Sequence, residues 1–160
     1  MQVFVIRHAI AVARAEGTPD PKRPLTPQGR RRWERAVRGL EHIGVKLDRL
    51  YHSPWLRAVE TANALADLVD GETVVMRELT KRPTPALLGR LEGERVAIVG
   101  HQPWLGELVA ISLFGRSREG ARLALKKGSV VWLEGEARPG AMTLRALLPP
   151  RVLRALGAPH

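Results

Sequence analysis

Two apolar runs in this chain end in histidine. Phe4 to Ile6 leads directly into Arg7 and His8, and Val96 to Val99 leads through Gly100 into His101. An imidazole serves as nucleophile, general base or metal ligand near neutral pH, and two of them at equivalent positions after separate runs point to a shared site. Arg7 sharpens this reading. A guanidinium directly after a buried apolar run must meet an anion, either a buried carboxylate or a ligand phosphate, because an unpaired charge away from water is costly. A third block, SPWLRAVETA from Ser53 to Ala62, places Arg57 on the first turn or so of an expected helix, where free N–H groups and the helix dipole favour an anion. Periodicity alone equally allows Arg57 as a surface residue paired with Glu60 one turn on. If Arg7, Arg57, His8 and His101 converge, they form two guanidinium forks and two imidazoles, a set that matches the three peripheral oxygens of a phosphoryl group.

Other phosphoryl chemistries lack their residues. No carboxylate pair accompanies the strand ends, as magnesium-dependent transfer would need, and no HxH or HExxH spacing suggests zinc, so no metal or other cofactor is implied. A GxxxxGK[ST] loop, a GxGxxG turn and a GxSxG elbow are all missing. The absence of cysteine removes thiolate catalysis and disulfides. Histidine itself remains as the nucleophile, with His8 attacking phosphorus in line.

The elements that must position these groups alternate along the chain. Gln2 to Ile6 reads as a buried strand, and Thr18 to Pro24, with three prolines, as loop. Thr26 as N-cap and Pro27 at the first helical position start a helix whose Trp33, Val37, Leu40 and Ile43 recur at helical spacing until Gly44. Leu47 to Tyr51 is a second strand. Ser53-Pro54 restarts a helix by the same cap-then-proline rule, with Leu56, Val59, Ala62, Ala66 and Val69 on one face up to Asp70-Gly71. Thr73 to Met76 is a third strand, Pro85 to Leu91 a short helix, Val96 to Val99 a fourth strand, and Pro103 to Phe114 a helix. Ser129 to Glu134 and Ala141 to Leu147 form a hairpin, and Pro149 to His160 is a tail of one or two helical turns. The pattern predicts one α/β domain over residues 1–160, a three-layer α/β/α sandwich with a mainly parallel central sheet and an antiparallel edge strand. In such sheets ligands bind at the carboxyl ends of the strands, where Arg7, His8 and His101 stand.

Charge is the unusual feature of the composition. The net charge is +10, and 21 of the 26 basic residues are arginine. Solvated helix faces account for such a surplus, and so does attraction of a phosphorylated or nucleic-acid ligand. The Arg30 to Arg32 run reads as the exposed start of a helix, with steering of an acidic protein partner as the sharper alternative. Trp33, Trp55, Trp104 and Trp132 fit core or pocket-wall positions better than a base-stacking platform, which sets nucleic acid behind a compact phosphorylated ligand. No apolar run approaches the roughly 18 residues of a membrane span, and MQVFVIRH lacks a basic leader with a long apolar stretch, so a cytoplasmic location is the default expectation.

Together, the strand ending in Arg-His, the S-x-x-x-R-A-x-x-T-A block and the late strand ending in Gly-His resemble the histidine phosphatase superfamily, also called phosphoglycerate-mutase-like. The RPLTPQG segment from Arg23 to Gly29 and the GHQPWL segment are similar to the SixA-type phosphohistidine phosphatases, and the resemblance spans about residues 2 to 147. It implies that His8 is transiently phosphorylated, that Arg7 and Arg57 hold the phosphoryl oxygens, and that His101 helps to bind the transferring group. Arg23 stands where SixA-type proteins have an arginine beside the pocket. The backbone N–H of Gln102, following His101 at a helix start, is a further candidate donor. Larger relatives use a glutamate after the third strand to protonate the leaving group, and Glu78 in VVMRELT is the candidate here. The usual motif is Arg-His-Gly, whereas this chain has Ala9, which would be strained if the backbone there required a positive φ. The implied substrate is phosphohistidine on a protein, with small phosphate monoesters as the alternative and non-catalytic binding of a phosphorylated ligand or nucleic acid as a third.

Overall fold

The first strand, β1 (Gln2–Arg7), carries an unbroken apolar run because both of its faces are covered. In the computed structural model, which describes residues 1–158, Phe4 and Ile6 pack into a core layer with Trp33, Leu40 and Leu50, while Val3 and Val5 enter the opposite layer with Ile98, Leu105 and Leu108. The sheet that divides these layers contains β1, β2 (Leu47–His52), β3 (Val69–Val75), β4 (Arg95–Gly100), β5 (Val130–Gly135) and β6 (Met142–Leu148), in the spatial order β3-β2-β4-β1-β5-β6. The pairs β1–β4, β2–β4 and β2–β3 are parallel, and β5 lies antiparallel between β1 and β6. The three-layer sandwich and the C-terminal hairpin expected from the sequence are both present.

Four helices cover the faces. Helix α1 (Pro27–His42) is capped by Thr26, whose hydroxyl accepts from Gly29 N–H at 2.8 Å, and it buries Trp33, Ala36 and Leu40. Helices α2 (Leu56–Asn63) and α4 (Pro150–Leu156) share that layer through Ala58, Ala62 and Leu153. The close approach of α4 to α1 depends on Gly39, where an added Cβ would lie 2.1 Å from the Leu153 carbonyl oxygen. Helix α3 (Trp104–Phe114) covers the other face with Leu105, Leu108, Val109 and Ile111. Helix α1 therefore leaves β1 over one face of the sheet, and α3 leaves the neighbouring β4 over the other. In sheets of this kind such a divergence marks the ligand position, here the carboxyl ends of β1 and β4.

The structure departs from the sequence pattern after β2. The second helix ends at Asn63, and the apolar residues assigned to its continuation instead form a 3-10 turn (Ala66–Leu68) and the start of β3 at Val69. Val69 pairs with Leu47, and the ladder shifts register before Arg49–Glu72. Gly71 permits this, since a Cβ there would meet the Asp48 carbonyl oxygen at 1.9 Å. A short apolar run fits helix and strand alike, and pairing with β2 decides the matter. Ser53-Pro54 lies outside the helix, whose N-cap is Trp55. The segment Pro85–Arg90 is a 3-10 helix, and the tail beyond Leu148 is α4, with Pro159 and His160 outside the described residues.

Candidate active site

The register of the sheet sets the site. Arg7 pairs with Gly100 across β1 and β4, so the residues that follow, His8 and His101, leave adjacent strand ends together. Their rings lie 5.2 Å apart between centroids, and both are buried. The His8 N–H is held by the Gly100 carbonyl at 3.0 Å, and its ring Nδ1 lies 2.7 Å from the Ala9 carbonyl oxygen. A carbonyl only accepts, so this contact makes Nδ1 the protonated nitrogen and leaves the lone pair on Nε2. Burial first, and then the Arg57, Arg7 and Lys127 charges, push the His8 pKa down to about 3 against the opposing effect of the Ala9 bond. The ring is a neutral base with its free nitrogen turned to Arg57.

Arg57 belongs to the site and not to the surface, with 3% of its area exposed. Its Nε donates to His8 Nε2 at 3.3 Å, and its other nitrogens reach Asp20, Nη1 to the backbone oxygen at 2.8 Å and Nη2 to Oδ2 at 3.2 Å. The alternative partner, Glu60, is taken by Arg30 and by the Leu25 N–H. The guanidinium also lies 4.7 Å above the Trp55 ring. Arg7 donates from Nη1 to the Leu125 carbonyl at 2.5 Å, while its buried Nε has no protein acceptor. Among the described residues no carboxylate pairs with Arg7, so of the two anions the sequence allowed, the buried acid is not its partner.

His101 is oriented by a residue that the sequence pattern cast as a helix cap. Ser53 Oγ lies 2.8 Å from His101 Nε2 and accepts the Trp55 N–H at 3.2 Å, which frees the hydroxyl proton for the imidazole. Trp55 and Trp104 wall the ring, at 4.6 and 6.4 Å between centroids. Burial, with His8 and Arg57 next, pushes the His101 pKa down to about 3, and its buried Nδ1 has no protein partner. Two buried nitrogens, Arg7 Nε and His101 Nδ1, thus lie at the same strand ends without a hydrogen-bond partner, the condition of donors built for a ligand acceptor.

Arg23 and Gln102 fare differently. Arg23 is nearly buried and bonds Asp20 Oδ1 at 2.7 Å and the Val12 carbonyl at 2.6 Å, and its charge adds to the depression of the Arg57 and His101 pKa values. The side chain of Gln102 is spent on the Leu123 carbonyl and the Gly106 N–H, fastening the start of α3. Glu78 lies in a 3-10 turn after β3, paired with Arg90. Its own backbone N–H and Arg90 hold its carboxyl below the usual range, the reverse of what a proton donor at neutral pH needs. Neither Arg90 nor Lys81, the cations that act on it, bonds Arg7, His8, Arg57 or His101. Ala9 has no positive φ, so the departure from Arg-His-Gly carries no strain, and its N–H donates to Thr61 Oγ1 at 3.0 Å.

Sequence reasoning missed Asp20, Ser53, Thr61 and Lys127. Asp20 joins the site from the Pro-rich loop, where burial works to raise its pKa and the Arg23, Arg57 and Arg14 guanidinium groups outweigh it. Thr61 ties Ala9 to α2 by donating to the Arg57 carbonyl at 2.6 Å. Burial, then Arg7, Arg23 and Arg57, lower the Lys127 pKa, which places this ammonium in the same positive field. The Lys126-Lys127-Gly128 turn before a strand was the available signal.

Residues 3–83 match the model of the histidine phosphatase superfamily, branch 1. The phosphohistidine phosphatase SixA of Escherichia coli is 34% identical over 119 residues, covering 69% of this chain and 73% of that protein. An uncharacterized protein of Picosynechococcus is also 34% identical, over 154 residues covering 91% of this chain and 90% of its own. The structure of the protein histidine phosphatase SixA complexed with tungstate superposes with a TM-score of 0.75 at 26% identity, covering 96% of this chain and 99% of that one. A match over half of the chain, a relative at this identity and the same fold agree with Arg7, His8 and His101 at the strand ends and Arg57 at the start of α2: the chain belongs to the histidine phosphatase superfamily.

Proposed function

We propose that this phosphatase acts on phosphohistidine carried by a protein, through a phosphorylated His8 intermediate and without a metal ion. The observation that carries the reading is the His8 Nδ1–H bond to the Ala9 carbonyl, which leaves Nε2 unprotonated beside the Arg57 guanidinium. The likeness to proteins named phosphohistidine phosphatase SixA supports the substrate class.

The chemistry follows from those positions. Arg7, Arg57 and the His101 imidazole meet the phosphoryl oxygens, with Arg23 and Lys127 adding positive potential. The Nε2 lone pair of His8 forms a bond to phosphorus as the P–N bond to the substrate imidazole breaks in line opposite it. A phosphoimidazole protonated on its distal nitrogen departs as neutral imidazole, so this step needs no delivered proton. Water then attacks phosphorus, the His8–P bond breaks with its electron pair returning to Nε2, and phosphate leaves with the remaining proton released to solvent. An alkoxide leaving group would need an acid, and Glu78 is committed to Arg90. That commitment favours N–P over O–P substrates.

The test is phosphate release with EDTA present, from a phosphohistidine protein and from an aryl phosphate, by wild type and by His8→Ala. The reading expects preference for phosphohistidine and loss of turnover in the variant. Full activity of His8→Ala would sink the mechanism, and faster aryl phosphate turnover would move the substrate to small monoesters.

A further inference from the structure

The arginines of this chain are not distributed evenly with respect to their partners. Twelve of the 21 form an ion pair with a carboxylate among the described residues, most of them on the surface. Of the other nine, Arg31, Arg32, Arg35, Arg38 and Arg154 line a single cleft of about 440 Å³ between α1 and α4. The four on α1 are exposed and lie on about a third of the helix circumference, opposite the stripe of Trp33, Ala36 and Leu40 that faces the core. The acids of α1, Glu34 and Glu41, stand one turn from Arg31 and Arg38 at the edge of this face, and neither forms an ion pair with these arginines. Like charges at such spacing repel, and the fold adds to the crowding, because the Arg35 Nε bond to the Arg154 carbonyl at 2.8 Å draws the two helices together.

The cleft borders a second one that reaches the residue after His8. Arg32 and Arg154 also line a narrow second cleft whose other wall is Ala9, Lys127 and Gly128. The Gly128 N–H donates to the carbonyls of Arg7 and His8, at 3.0 and 3.2 Å. A track of basic residues without ion-pair partners therefore runs from beside the peptide that carries the nucleophile, over Lys127, to the outer face of α1.

We infer that this α1–α4 track is the docking surface for the acidic face of the protein that carries the phosphoryl group. The inference rests on the phosphohistidine reading for its substrate but on the arginine cluster for its location. Guanidinium forks match carboxylates bidentately, and a field of one sign that leads to a site raises the encounter rate of an oppositely charged partner. A protein is favoured over nucleic acid because the track leads away from a site that takes one phosphoryl group, and its only aromatic, Trp33, is buried and offers no face to a base.

The experiment uses a helical carrier domain phosphorylated on a single histidine with phosphoramidate, in an acidic form and in a form whose surface Asp and Glu are replaced by Asn and Gln. Wild type is compared with Arg31→Glu/Arg32→Glu/Arg38→Glu and with the milder Arg31→Gln/Arg32→Gln/Arg38→Gln, both of which keep the Arg35–Arg154 bond. At low salt kcat/KM for the acidic form should fall about tenfold to a hundredfold in the Glu variant and less in the Gln variant, and the wild-type advantage should shrink in high salt. Aryl phosphate turnover should be unchanged in both, which shows that they fold. An equal rate for the two carrier forms, or a charge-reversal variant that retains the preference, overturns the inference. Binding of the unphosphorylated acidic domain is measured in parallel, and its loss in the Glu variant supports the surface even if no phosphohistidine is turned over, an outcome that defeats the substrate reading alone. Loss of duplex DNA binding in the variants with carrier binding intact reassigns the track to nucleic acid.

Discussion

Arg57 Nε donates to Nε2 of His8 at 3.3 Å, so the proposed nucleophile's lone pair is already held by the group that is to hold the phosphoryl oxygens. Both partners are buried, at 3% and 5% exposure, and both pKa values are lowered first by burial. A neutral imidazole accepts this bond, whereas an imidazolium would be repelled by it. As phosphorus approaches, the Nε donor can pass from the ring nitrogen to an equatorial oxygen with little movement.

Replacing Arg57 with Lys tests that geometry. An ammonium keeps the charge but cannot address His8 and both Asp20 oxygens from one rigid plane. The expected result is a fall of about a hundredfold in kcat/KM, read in a phosphate-release assay against the unchanged fold by circular dichroism. Near-normal turnover in Arg57→Lys would show that charge alone suffices.

Asp20 is the one carboxylate in the group formed with Arg57, Arg23 and Arg14, and its two oxygens stand against guanidinium nitrogens as phosphoryl oxygens would. A dianion entering the site competes with it for Arg57. Asp20→Asn should therefore bind inorganic phosphate or orthovanadate several-fold more tightly, measured by calorimetry. Weaker binding would mean that the carboxylate orients Arg57 more than it competes.

How much of this was readable beforehand divides along physical lines. The strands with long apolar runs, the capped α1, and Arg7, His8 and His101 were legible because burial and strand-end position are written in local sequence, whereas periodicity left Arg57 balanced against a surface pairing with Glu60 and only the motif resemblance pointed it to the site. The boundary between α2 and β3 was not, because Val69 obeys either period until β2 supplies its partner. Ser53 was legible as a polar residue before a helix, yet its hydroxyl serves His101, 48 residues away. Asp20 and Lys127 were hidden for the same reason, since only the folded chain brings the Pro-rich loop and the turn before β5 to the end of β1. Ala9 shows the reverse error. The motif comparison raised strain, while the backbone has no positive φ there, and Ala9→Gly should cost stability, about 0.5–1 kcal/mol in chemical denaturation, with no gain in activity.

Ser53 supports His101 without reaching the proposed reaction centre. In Ser53→Ala the His101 ring loses its Nε2 partner and the Trp55 N–H loses its acceptor. Stability should fall by about 1–2 kcal/mol, and kcat should fall more than KM rises. Rescue by Ser53→Thr would tie the effect to the hydroxyl, and a change confined to stability would remove Ser53 from positioning His101.

The depressed imidazoles make a separate statement about acid. His8 and His101 titrate near 6.5 when unfolded and are pushed to about 3 in the folded chain. Between these values the unfolded state binds protons that the folded state refuses, so stability rises with pH through the window and is constant above it. The depressed carboxylates, Asp20 and Asp48 among them, act in the same direction but only as pH falls through and below their ordinary values of 3.8 to 4.5. The interval from pH 6.5 down to 4.5 therefore isolates the histidines. Thermal unfolding of wild type should drop by about 5 °C or more across it, and His8→Asn/His101→Asn should flatten the slope there while leaving the steeper loss below pH 4.5 intact. Equal slopes in the two proteins would show that the imidazoles are not held neutral by the fold, and the lone pair assigned to His8 Nε2 would lose its basis.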